Sequence, residues 1–406
     1  MKISILSDQH FGYAYSEALA EDSFDNADEA MEKALDSDLI IMAGDVFDVR
    51  VPNTQTWAKA MKILSKPLLQ QNMGTSLVKS TKELKEISKR TLNHVPVIAV
   101  HGNHERRSRE ELNTVQALEN AGLMIHLHLQ TVVFEKDGVK VAIHGMSNVP
   151  ERFAYDILKR WNPQPVPDTI NILLLHQSID PYVYSPLEPP TLTLSNLPQF
   201  DVIINGHIHT HFEDKVNGKP MIIAGSSIIT QFQKSESEIQ KGVTQLEIGR
   251  QVDVKFVPLE NDRKFFYHEL SLDGIGRESI ERVINSTLTN KNFAKKPVMR
   301  IKLSGNGMNI TDQDLKYIER KYADRAILFF ARQFDATEMT EKMEFLRNLR
   351  EQKMSVEEIG MGVLRKNLDE LKFDGMDYES LFGLLSGGEI EKVFNILTGE
   401  QKVLGK

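Results

Sequence analysis

The sequence predicts an α/β fold in which two β-sheets pack between flanking helices, followed by a small α+β module and a helical C-terminal tail. Three observations support this prediction. Over residues 1–258, short apolar segments rich in β-branched residues alternate with longer polar segments of helical periodicity. Residues 264–335 show the same alternation on a smaller scale. Beyond residue 337 the sequence is charged and helical in pattern, without a strand signal.

The predicted strands and helices divide the chain into four parts. The first part has strands at residues 2–6, 39–42, 96–100, 172–175, 202–204, 219–224, 243–248 and 252–257. The small module is predicted as strand 265–272, helix 278–288, strand 298–303, helix 312–322 and strand 325–330. Predicted helices of the tail cover residues 338–353, 356–371, 378–385 and 389–397. We therefore expect domains at 1–258 and 264–335, a helical linker at 337–374 and a helical hairpin at 375–406.

Polar side chains follow directly after each of the first five predicted strands. The five motifs are Asp8-Gln9-His10, Gly44-Asp45-Val46-Phe47-Asp48, Gly102-Asn103-His104-Glu105, Leu175-His176 and Gly206-His207-Ile208-His209. Because ligands in open α/β sheets gather beyond the carboxyl ends of strands, we expect these side chains to meet there. They supply seven candidate metal ligands, namely Asp8, His10, Asp45, Asn103, His176, His207 and His209.

This ligand set suits a pair of divalent cations. Two cations about 3.5–4 Å apart can hold the attacking and the leaving oxygen of a phosphodiester. Such a pair needs one carboxylate that bridges it and further ligands on either side. Mixed imidazole and carboxylate ligands favour manganese, iron or zinc over magnesium. We expect manganese, with iron as the competitor, because the sequence has no cysteine to supply a thiolate.

The motif set resembles the calcineurin-like metallophosphoesterases. Within that superfamily, the opening Asp8-x-His10-Phe11-Gly12-Tyr13 and the run from Gly44 to Asp48 are similar to the SbcD/meiotic recombination 11 nucleases of double-strand break repair. The resemblance implies a two-sheet metallophosphoesterase sandwich, a DNA-handling capping domain at 264–335, a homodimer, and an SbcC-type coiled-coil ABC ATPase as partner. Two residues depart from the family pattern: Gln9 replaces a more usual Thr, and Asp48 replaces the His of many members.

The resemblance also implies a role for each motif residue. Asp8, His10 and His209 would hold one metal. Asn103, His176 and His207 would hold the other, and Asp45 would bridge the two. His104 would lie over the scissile phosphate as the catalytic residue, a role that suits imidazole because histidine titrates near neutral pH.

The implied function is a manganese-dependent DNA nuclease of double-strand break repair. Its activities would be 3′→5′ exonuclease on duplex DNA and endonuclease on single-stranded DNA. Two alternatives stay open at this point. A phosphoesterase of small phosphodiesters or nucleotides would use the same ligands but needs neither the module nor the tail. An inactive scaffold subunit would not need the complete ligand set that this sequence retains.

The net charge of the chain limits how it can bind DNA. A formal charge of −8 argues against attraction of DNA to the whole surface. DNA contact therefore requires a local basic surface, and the candidates are three arginines shortly after His104: Arg106, Arg107 and Arg109.

Apolar helix stripes are candidates for protein contacts. Trp57, Met61 and Leu64, with Leu112 and Val115, would form a dimer interface that the resemblance implies to be a four-helix bundle. The alternative is that both stripes pack on the sheet of their own chain. The C-terminal hairpin carries a further stripe for the ATPase partner, comprising Leu381, Leu384, Phe394 and Leu397. Its alternative is packing against the nuclease domain of the same chain.

The sequence also predicts where the protein works. No segment is long and apolar enough to span a bilayer, and the first residues lack the basic start and long apolar core of a signal peptide. We therefore expect a cytoplasmic protein without a membrane partner.

Overall fold

The computed structural model describes residues 1–107, 111–183, 190–271, 276–289, 292–305 and 310–332, with 360–362, 364–365, 368, 377–386 and 393 of the tail. The chain divides into two compact units, residues 1–302 with 306–331, and residues 303–305 with 332–406. Among the helices of these described residues, none is both long and apolar enough to cross a bilayer.

Two large sheets form the centre of the first unit. In spatial order, the first sheet contains β15 (Val252–Pro258), β14 (Gly242–Ile248), β1 (Lys2–Leu6), β2 (Leu39–Met42), β4 (Val97–Ala99) and β5 (Ile125–His126). The second contains β12 (Phe212–Val216), β13 (Lys219–Ile223), β11 (Val202–Asn205), β8 (Ile170–Leu175), β7 (Val139–Met146), β6 (Gln130–Lys136) and β3 (Ser76–Ser80). A short pair, β9 (Ile179–Asp180) and β10 (Leu192–Thr193), lies apart from both sheets.

Helices lie along the outer faces and in the module. They are α1 (Asp22–Ala34), α2 (Thr54–Leu64), α3 (Lys89–Leu92), α4 (Thr114–Asn120), α5 (Glu151–Trp161), α6 (Lys234–Ser237), α7 (Arg277–Leu288), α8 (Asp312–Tyr322) and, in the tail, α9 (Tyr378–Ser386). Several begin at side chains that accept a backbone N–H. Asn53 caps α2 and Asn113 caps α4, as expected for a residue type that satisfies the first free N–H groups of a helix.

The alternation of side chains along the strands builds two cores at once. In β2, Leu39 and Ile41 point into the core between the sheets. The intervening Ile40 and Met42 point to the opposite face, where they pack under α1, α2 and α4. Successive residues of a strand face opposite sides, so a strand covered on both faces must be apolar throughout. A third core packs α5 against the outer face of the second sheet, which completes the predicted sandwich.

The strands that carry the motifs run parallel within each sheet. β1, β2 and β4 are parallel neighbours in the first sheet, and β8 and β11 are parallel neighbours in the second. All eight strands predicted for residues 1–258 are present, and their ends lie within two residues of the prediction. The carboxyl ends of the five motif-bearing strands therefore meet at one edge of the sandwich.

The small module forms a three-stranded sheet with two helices. Its sheet has the order β16 (Phe265–Ser271), β17 (Val298–Ser304) and β18 (Ile327–Arg332), and α7 and α8 connect the strands. The predicted order of strands and helices is confirmed. The module packs on the sandwich through an apolar cluster that includes Leu19, Phe232 and Phe265. Beside this cluster, the Arg263 guanidinium donates to both carboxylate oxygens of Asp22 at 2.6 and 2.8 Å.

The described part of the tail contains its own small apolar cluster. Leu368, Leu381 and Val393 are buried together, and Leu364, Tyr378 and Leu384 pack against them. The predicted helix at 378–385 is present as α9. The predicted helix at 338–353 lies outside the described residues, as do most of those at 356–371 and 389–397.

Candidate metal centre

The five motifs converge at the edge where the motif-bearing strands end. All seven predicted metal ligands lie there together, in two groups that share one carboxylate. Asp8, His10, Asp45 and His209 form the first group, and one ligand atom from each lies within 4.8 Å of the others. Asp45, His176 and His207 form the second group with the same limit.

The first group is compact and buried. The Nε2 atoms of His10 and His209 lie 3.1 Å apart, and His209 Nε2 lies 3.7 Å from Asp8 Oδ1. His10 Nε2 lies 3.9 Å from Asp45 Oδ2. One nitrogen of each ring and one oxygen of each carboxylate thus face a common point.

Asn103 completes the second group. Its Oδ1 atom lies 2.9 Å from His207 Nδ1 and 3.3 Å from His176 Nε2. Asp45 Oδ2 lies 3.4 Å from His176 Nε2. The same oxygen therefore faces both groups, and Asp45 occupies the position that a bridging ligand requires.

Local backbone strain marks the motif residues. Four of them that are not glycine have left-handed backbone conformations, with φ of +50° at Asp8, +46° at His10, +46° at Asp45 and +74° at His207. Such conformations are uncommon for non-glycine residues and cluster at functional sites. Backbone hydrogen bonds hold the first two motifs together, from Asp8 N to Gly44 O at 2.9 Å and from His10 N to Asp45 O at 3.0 Å.

Two glycines allow the motifs to approach one another. A Cβ atom at Gly102 would lie 2.0 Å from Asp45 Oδ1, and one at Gly44 would lie 2.2 Å from His176 Nδ1. Gly44 also has φ of +100°, which side-chain-bearing residues rarely adopt. Any other residue at either position would displace a predicted ligand.

Polar partners orient three of the imidazole rings, two through hydrogen bonds and His10 through the nearby carboxylate of Asp48. His176 Nδ1 lies 2.6 Å from Ala43 O, and His209 Nδ1 lies 2.5 Å from Thr230 Oγ1. His10 Nδ1 lies 3.2 Å from Asp48 Oδ1. Metal-binding histidines usually donate their second ring N–H to such an acceptor, which fixes the tautomer. In all three rings this arrangement directs Nε2 toward the centre.

His104 differs from the ligands in its exposure. About a third of its side chain, 35%, is exposed, whereas that of Asp45 is 2% exposed. Its Nδ1 lies 2.5 Å from Asp48 O, and its Nε2 lies 4.0 Å from Asp45 Oδ2. With His10 and Asp48 it forms a third possible donor group within 4.8 Å. We interpret His104 as a substrate-facing residue, since its ring lies at the open side and its Nδ1 bonds to a carbonyl.

Glu105 has a role that the sequence did not reveal. Its buried carboxylate accepts hydrogen bonds from Phe47 N and Gly102 N, both at 2.7 Å, and so joins the second motif to the third. Burial, with the nearby charge of Asp45, raises the pKa of Glu105 to about 7. Its only sequence signal was an acidic residue beside the predicted ligands.

The titration behaviour of the centre follows from burial and charge. Burial raises the pKa of Asp8 to about 6. Burial also acts to raise the pKa of Asp45, but the charge and hydrogen bond of His176 together with the charges of His10 and His104 outweigh it and hold that pKa well below its usual range. Burial and the charge of His176 together lower the pKa of His207 to about 3. Carboxylates and imidazoles in the centre thus compensate one another's charge.

The residues fit divalent cations. Asp8 Oδ1 is buried and accepts no hydrogen bond from any described residue. Leaving such a group without a partner costs about 1–3 kcal/mol, and a cation would satisfy it. The donors are two carboxylates, four imidazoles and one amide oxygen, which is a set that suits manganese, iron or zinc.

The predicted basic residues behave differently from one another. Arg106 donates to Asn148 Oδ1 at 2.8 Å, and Asn148 donates to His176 O at 3.0 Å. Arg107 donates to Arg50 O at 2.7 Å. Arg109 lies outside the described residues. Arg106 therefore supports the fourth motif, and a DNA contact by these residues stays a prediction.

The predicted dimer stripe is only partly available at the surface. Leu64 and Val115 are 1% and 0% exposed and pack in the core of their own chain, so they offer no surface to a second copy. The prediction that Leu64 and Val115 lie in a dimer interface is therefore wrong. The sequence shows which residues form an apolar stripe on a helix, but it does not show which of them the sheet of the same chain covers. Met61 and Leu112 are 40% and 64% exposed, and Trp57 is partly buried against the core.

The predicted partner stripe of the tail is also partly covered. Leu381 is buried and Leu384 is half-buried in the tail's own cluster. Leu385, beside them on α9, is 40% exposed. Phe394 and Leu397 lie outside the described residues. Docking of an ATPase on this hairpin stays a prediction, and on α9 Leu385 is the apolar residue best placed for it.

Comparison with known proteins agrees with this geometry. The family described as calcineurin-like phosphoesterase matches residues 1–211. The chain is similar to the double-strand break repair protein mus-23 of Neurospora crassa, with 27% identity over 306 residues, 67% of this chain and 41% of that protein. Similarity to MRE11 of Mus musculus is 23% over 400 residues, covering 82% and 55% of the two chains.

An archaeal protein shows the same relationship. The DNA double-strand break repair protein Mre11 of Methanopyrus kandleri is 26% identical over 297 residues, covering 67% of this chain and 60% of that protein. The chain therefore spans about half the length of the curated relatives it matches.

Proposed function

The chain belongs to the calcineurin-like phosphoesterase family, and on that basis we propose that it is a two-metal DNA nuclease of double-strand break repair. The observation that supports this most is the position of Asp45, whose Oδ2 atom faces His10 in one donor group and His176 in the other. A pair of cations that shares a carboxylate can hold both the attacking and the leaving oxygen of a phosphodiester. The names of the curated relatives support DNA as the substrate.

Two sets of residues would hold the cations. Asp8, His10 and His209 would hold one cation. Asn103, His176 and His207 would hold the other, with Asp45 shared between them. When bound, the cations would neutralise phosphate charge and act as Lewis acids. We propose manganese as the metal, because the donor set contains no soft thiolate and combines its imidazoles with carboxylate and amide oxygens, which suit manganese.

His104 would act on the leaving group. Its Nδ1–H can donate only to the Asp48 carbonyl, so the ring is fixed with Nε2 on the open side of the centre. In the protonated ring, Nε2–H can pass its proton to the oxygen that leaves phosphorus. This position also lets Nε2–H donate to a phosphate oxygen as negative charge develops there.

The names of the relatives and the family resemblance support more specific proposals about the activities and partners of the chain. We propose 3′→5′ exonuclease activity on duplex DNA and endonuclease activity on single strands. The proposed partners are DNA ends, a second copy of the chain, and an SbcC-type coiled-coil ABC ATPase. Met61, Leu112 and the exposed edge of Trp57 remain as candidates for the contact with the second copy.

A substrate comparison tests the proposed function. Purified protein with manganese is incubated with linear duplex DNA, circular single-stranded DNA and bis-p-nitrophenyl phosphate. We expect cleavage of both DNA substrates at rates well above that of the small diester. His94→Ala is the control variant and should cleave like the unmodified protein, because His94 contacts Gln70 O outside the metal centre. Cleavage of the small diester alone would favour a small-molecule phosphoesterase, and no cleavage of any substrate would favour a scaffold.

Metal binding is expected to release protons and to weaken as the pH falls. Burial lowers the pKa of His176 in the metal-free centre, but Asp45 and Asp8 raise it more, to about 10. The pKa of His10 is also raised, since Asp48 and Asp45 outweigh burial. The His176 ring is therefore protonated at neutral pH without metal and must lose its proton to become a ligand, and the raised pKa of His10 acts in the same direction.

The affinity should accordingly rise with pH from neutral toward about 10, the pKa of His176. Calorimetric titration with manganese in two buffers of different ionisation enthalpy measures the protons released. We expect at least one proton per chain at pH 7, from His176. Binding enthalpies that do not depend on the buffer would contradict this prediction.

Deletion of residues 375–406 is expected to separate cleavage from partner binding. The metal ligands all precede residue 210, and the tail belongs to a different compact unit. Manganese-dependent cleavage should remain, and binding to an SbcC-type ATPase should be lost in a pull-down.

Two single variants refine this experiment. Leu385→Glu places a charge on an exposed apolar residue and should weaken partner binding without changing the melting temperature. Leu381→Glu places a charge in the tail's buried cluster and should lower the stability of the tail as well. Undiminished binding of the ATPase by the truncated chain would end the docking proposal.

A further inference from the structure

The loop after β13 contacts the metal centre through one side chain. Thr230 lies in this loop, and its Oγ1 atom is 2.5 Å from His209 Nδ1. His209 Nε2 faces the centre, 3.1 Å from His10 Nε2 and 3.7 Å from Asp8 Oδ1. The Thr230 hydroxyl is therefore the group that contacts the ring on the side away from the centre.

The protonation of the ring decides whether His209 can bind a metal. A neutral imidazole carries one proton, and Nε2 has a free lone pair only when that proton is on Nδ1. In that tautomer, Nδ1–H donates to Thr230 Oγ1. If the hydroxyl donated to Nδ1 instead, the proton would be on Nε2 and the ring could not bind a metal through that atom.

The other orienting contacts do not leave this choice open. His176 Nδ1 faces the carbonyl of Ala43, and His10 Nδ1 faces the carboxylate of Asp48. A carbonyl and an ionised carboxylate can only accept, so they fix the tautomer by themselves. A hydroxyl can donate or accept, so Thr230 supports metal binding by His209 only in the arrangement in which it accepts from Nδ1–H.

A buried ion pair holds Thr230 and His209 at the same time. Glu236 accepts from Thr230 N at 3.2 Å and from Gln231 N at 2.7 Å. Lys241, whose Nζ lies 3.5 Å from Glu236, donates to His209 O at 3.1 Å. Both charged residues are at most 4% exposed. The Lys241–Glu236 ion pair thus holds the backbone of Thr230 and that of His209, the two residues whose hydroxyl and ring are in contact.

Two further groups fix the same loop. Tyr13 OH donates to Thr230 O, and Tyr13 packs against the apolar cluster between sandwich and module. Arg300, on β17 of the module, donates to Gln231 O at 3.2 Å and to Phe232 O at 3.3 Å. Tyr13, which lies shortly after the first motif, and Arg300 of the module therefore both hold the loop at or next to Thr230, the residue that contacts His209.

We propose that Thr230 is a positioning residue of the metal centre, whose hydroxyl accepts from Nδ1–H of His209 and holds that ring with Nε2 toward the centre. The proposal rests on the proposed function, because it takes His209 as a ligand of one of two metals. The Lys241–Glu236 pair, Tyr13 and Arg300 keep the hydroxyl in place. Thr230 itself does not touch the substrate or the metal.

The test compares variants that remove or retain the hydroxyl. Thr230→Val keeps the branched shape and removes the acceptor, whereas Thr230→Ser keeps the hydroxyl. Thr169→Val is the matched control, since the Thr169 hydroxyl donates to Val166 O before β8 begins, at the end of that strand remote from the centre. Manganese affinity of both sites is measured by titration with electron paramagnetic resonance detection of the free ion.

We expect Thr230→Val to bind one of the two manganese ions ~10–100-fold more weakly, which is the usual effect of losing such an orienting partner. The other ion should bind with unchanged affinity, and Thr230→Ser and Thr169→Val should resemble the unmodified protein. A role in folding alone would lower the melting temperature without weakening one site selectively. Wild-type affinity at both sites in Thr230→Val would overturn the proposal.

A measurement on the unmodified protein covers the case in which Thr230→Val does not fold. Nitrogen-15 NMR of histidine-labelled, metal-free protein should show His209 protonated at Nδ1, and a proton on Nε2 would overturn the proposal. Neither readout involves DNA. If the unmodified protein does not cleave DNA but Thr230→Val weakens one metal site, the proposed nuclease function alone is refuted. If the protein cleaves DNA normally and Thr230→Val leaves both metal affinities unchanged, the positioning role alone is refuted.

Discussion

Asp45→Ala is expected to remove most of the divalent metal from the protein. Asp45 Oδ2 lies 3.4 Å from His176 Nε2 and 3.9 Å from His10 Nε2, so it faces both donor groups. Without it, two cations would face each other with one anion fewer to screen their repulsion, and each would lose a ligand. Elemental analysis after dialysis against manganese should show far fewer than two ions per chain, and cleavage should fall to background.

A second carboxylate serves as the control for this variant. Asp201 accepts a hydrogen bond from Asn171 N at 2.9 Å, at the end of β11 remote from the centre. Asp201→Ala should retain its metals, even if its melting temperature falls. Full metal content in Asp45→Ala would show that Asp45 does not bridge the two groups.

His104→Ala is expected to abolish most of the catalysis without loss of metal. General acid–base groups typically contribute ~10²–10⁴-fold to the rate, and His104 is placed to serve the leaving group. Its ring is 35% exposed, whereas Asp8, His10, Asp45 and His176 are buried. Single-turnover cleavage should therefore slow by ~10²–10⁴-fold, while metal content and DNA binding stay close to those of the unmodified protein.

This experiment also resolves the role of the third donor group. His104 lies within 4.8 Å of donor atoms of His10 and Asp48, a geometry that could hold a cation. If His104 were a ligand, His104→Ala would lose metal together with activity. Near-normal turnover in His104→Ala would instead show that His104 has no catalytic role. His94→Ala measures the effect on activity of losing an imidazole outside the centre.

The metal centre could be predicted from the sequence because its determinants are local. Each motif follows its strand directly, so the strand pattern places Asp8, Asp45 and His176 at one edge of the sheets. The residue types then indicate the chemistry. Contacts between distant segments could not be predicted in this way. Glu105 joins the second and third motifs, and Thr230 contacts His209 from a loop with no motif.

The fold was predictable to a similar extent. Strands with continuous apolar sequence, such as β2 and β8, are covered on both faces, and their pattern is clear. Five strands of the two large sheets were not predicted, namely β3, β5, β6, β7 and β12. β3 and β12 are largely exposed and have little apolar character. β6 and β7 form a buried antiparallel hairpin that carries none of the five motifs. Leu64 and Val115 show the same limit for helices: periodicity gives an apolar face, whereas burial depends on the neighbouring layer.

The central claim is that two cations share Asp45, and crystals soaked in manganese test it most directly. Anomalous difference maps should show two peaks about 3.5–4 Å apart. One should lie among Asp8, His10 and His209, the other among Asn103, His176 and His207, with Asp45 between them. A single peak, or two peaks without Asp45 as a common neighbour, would contradict the account.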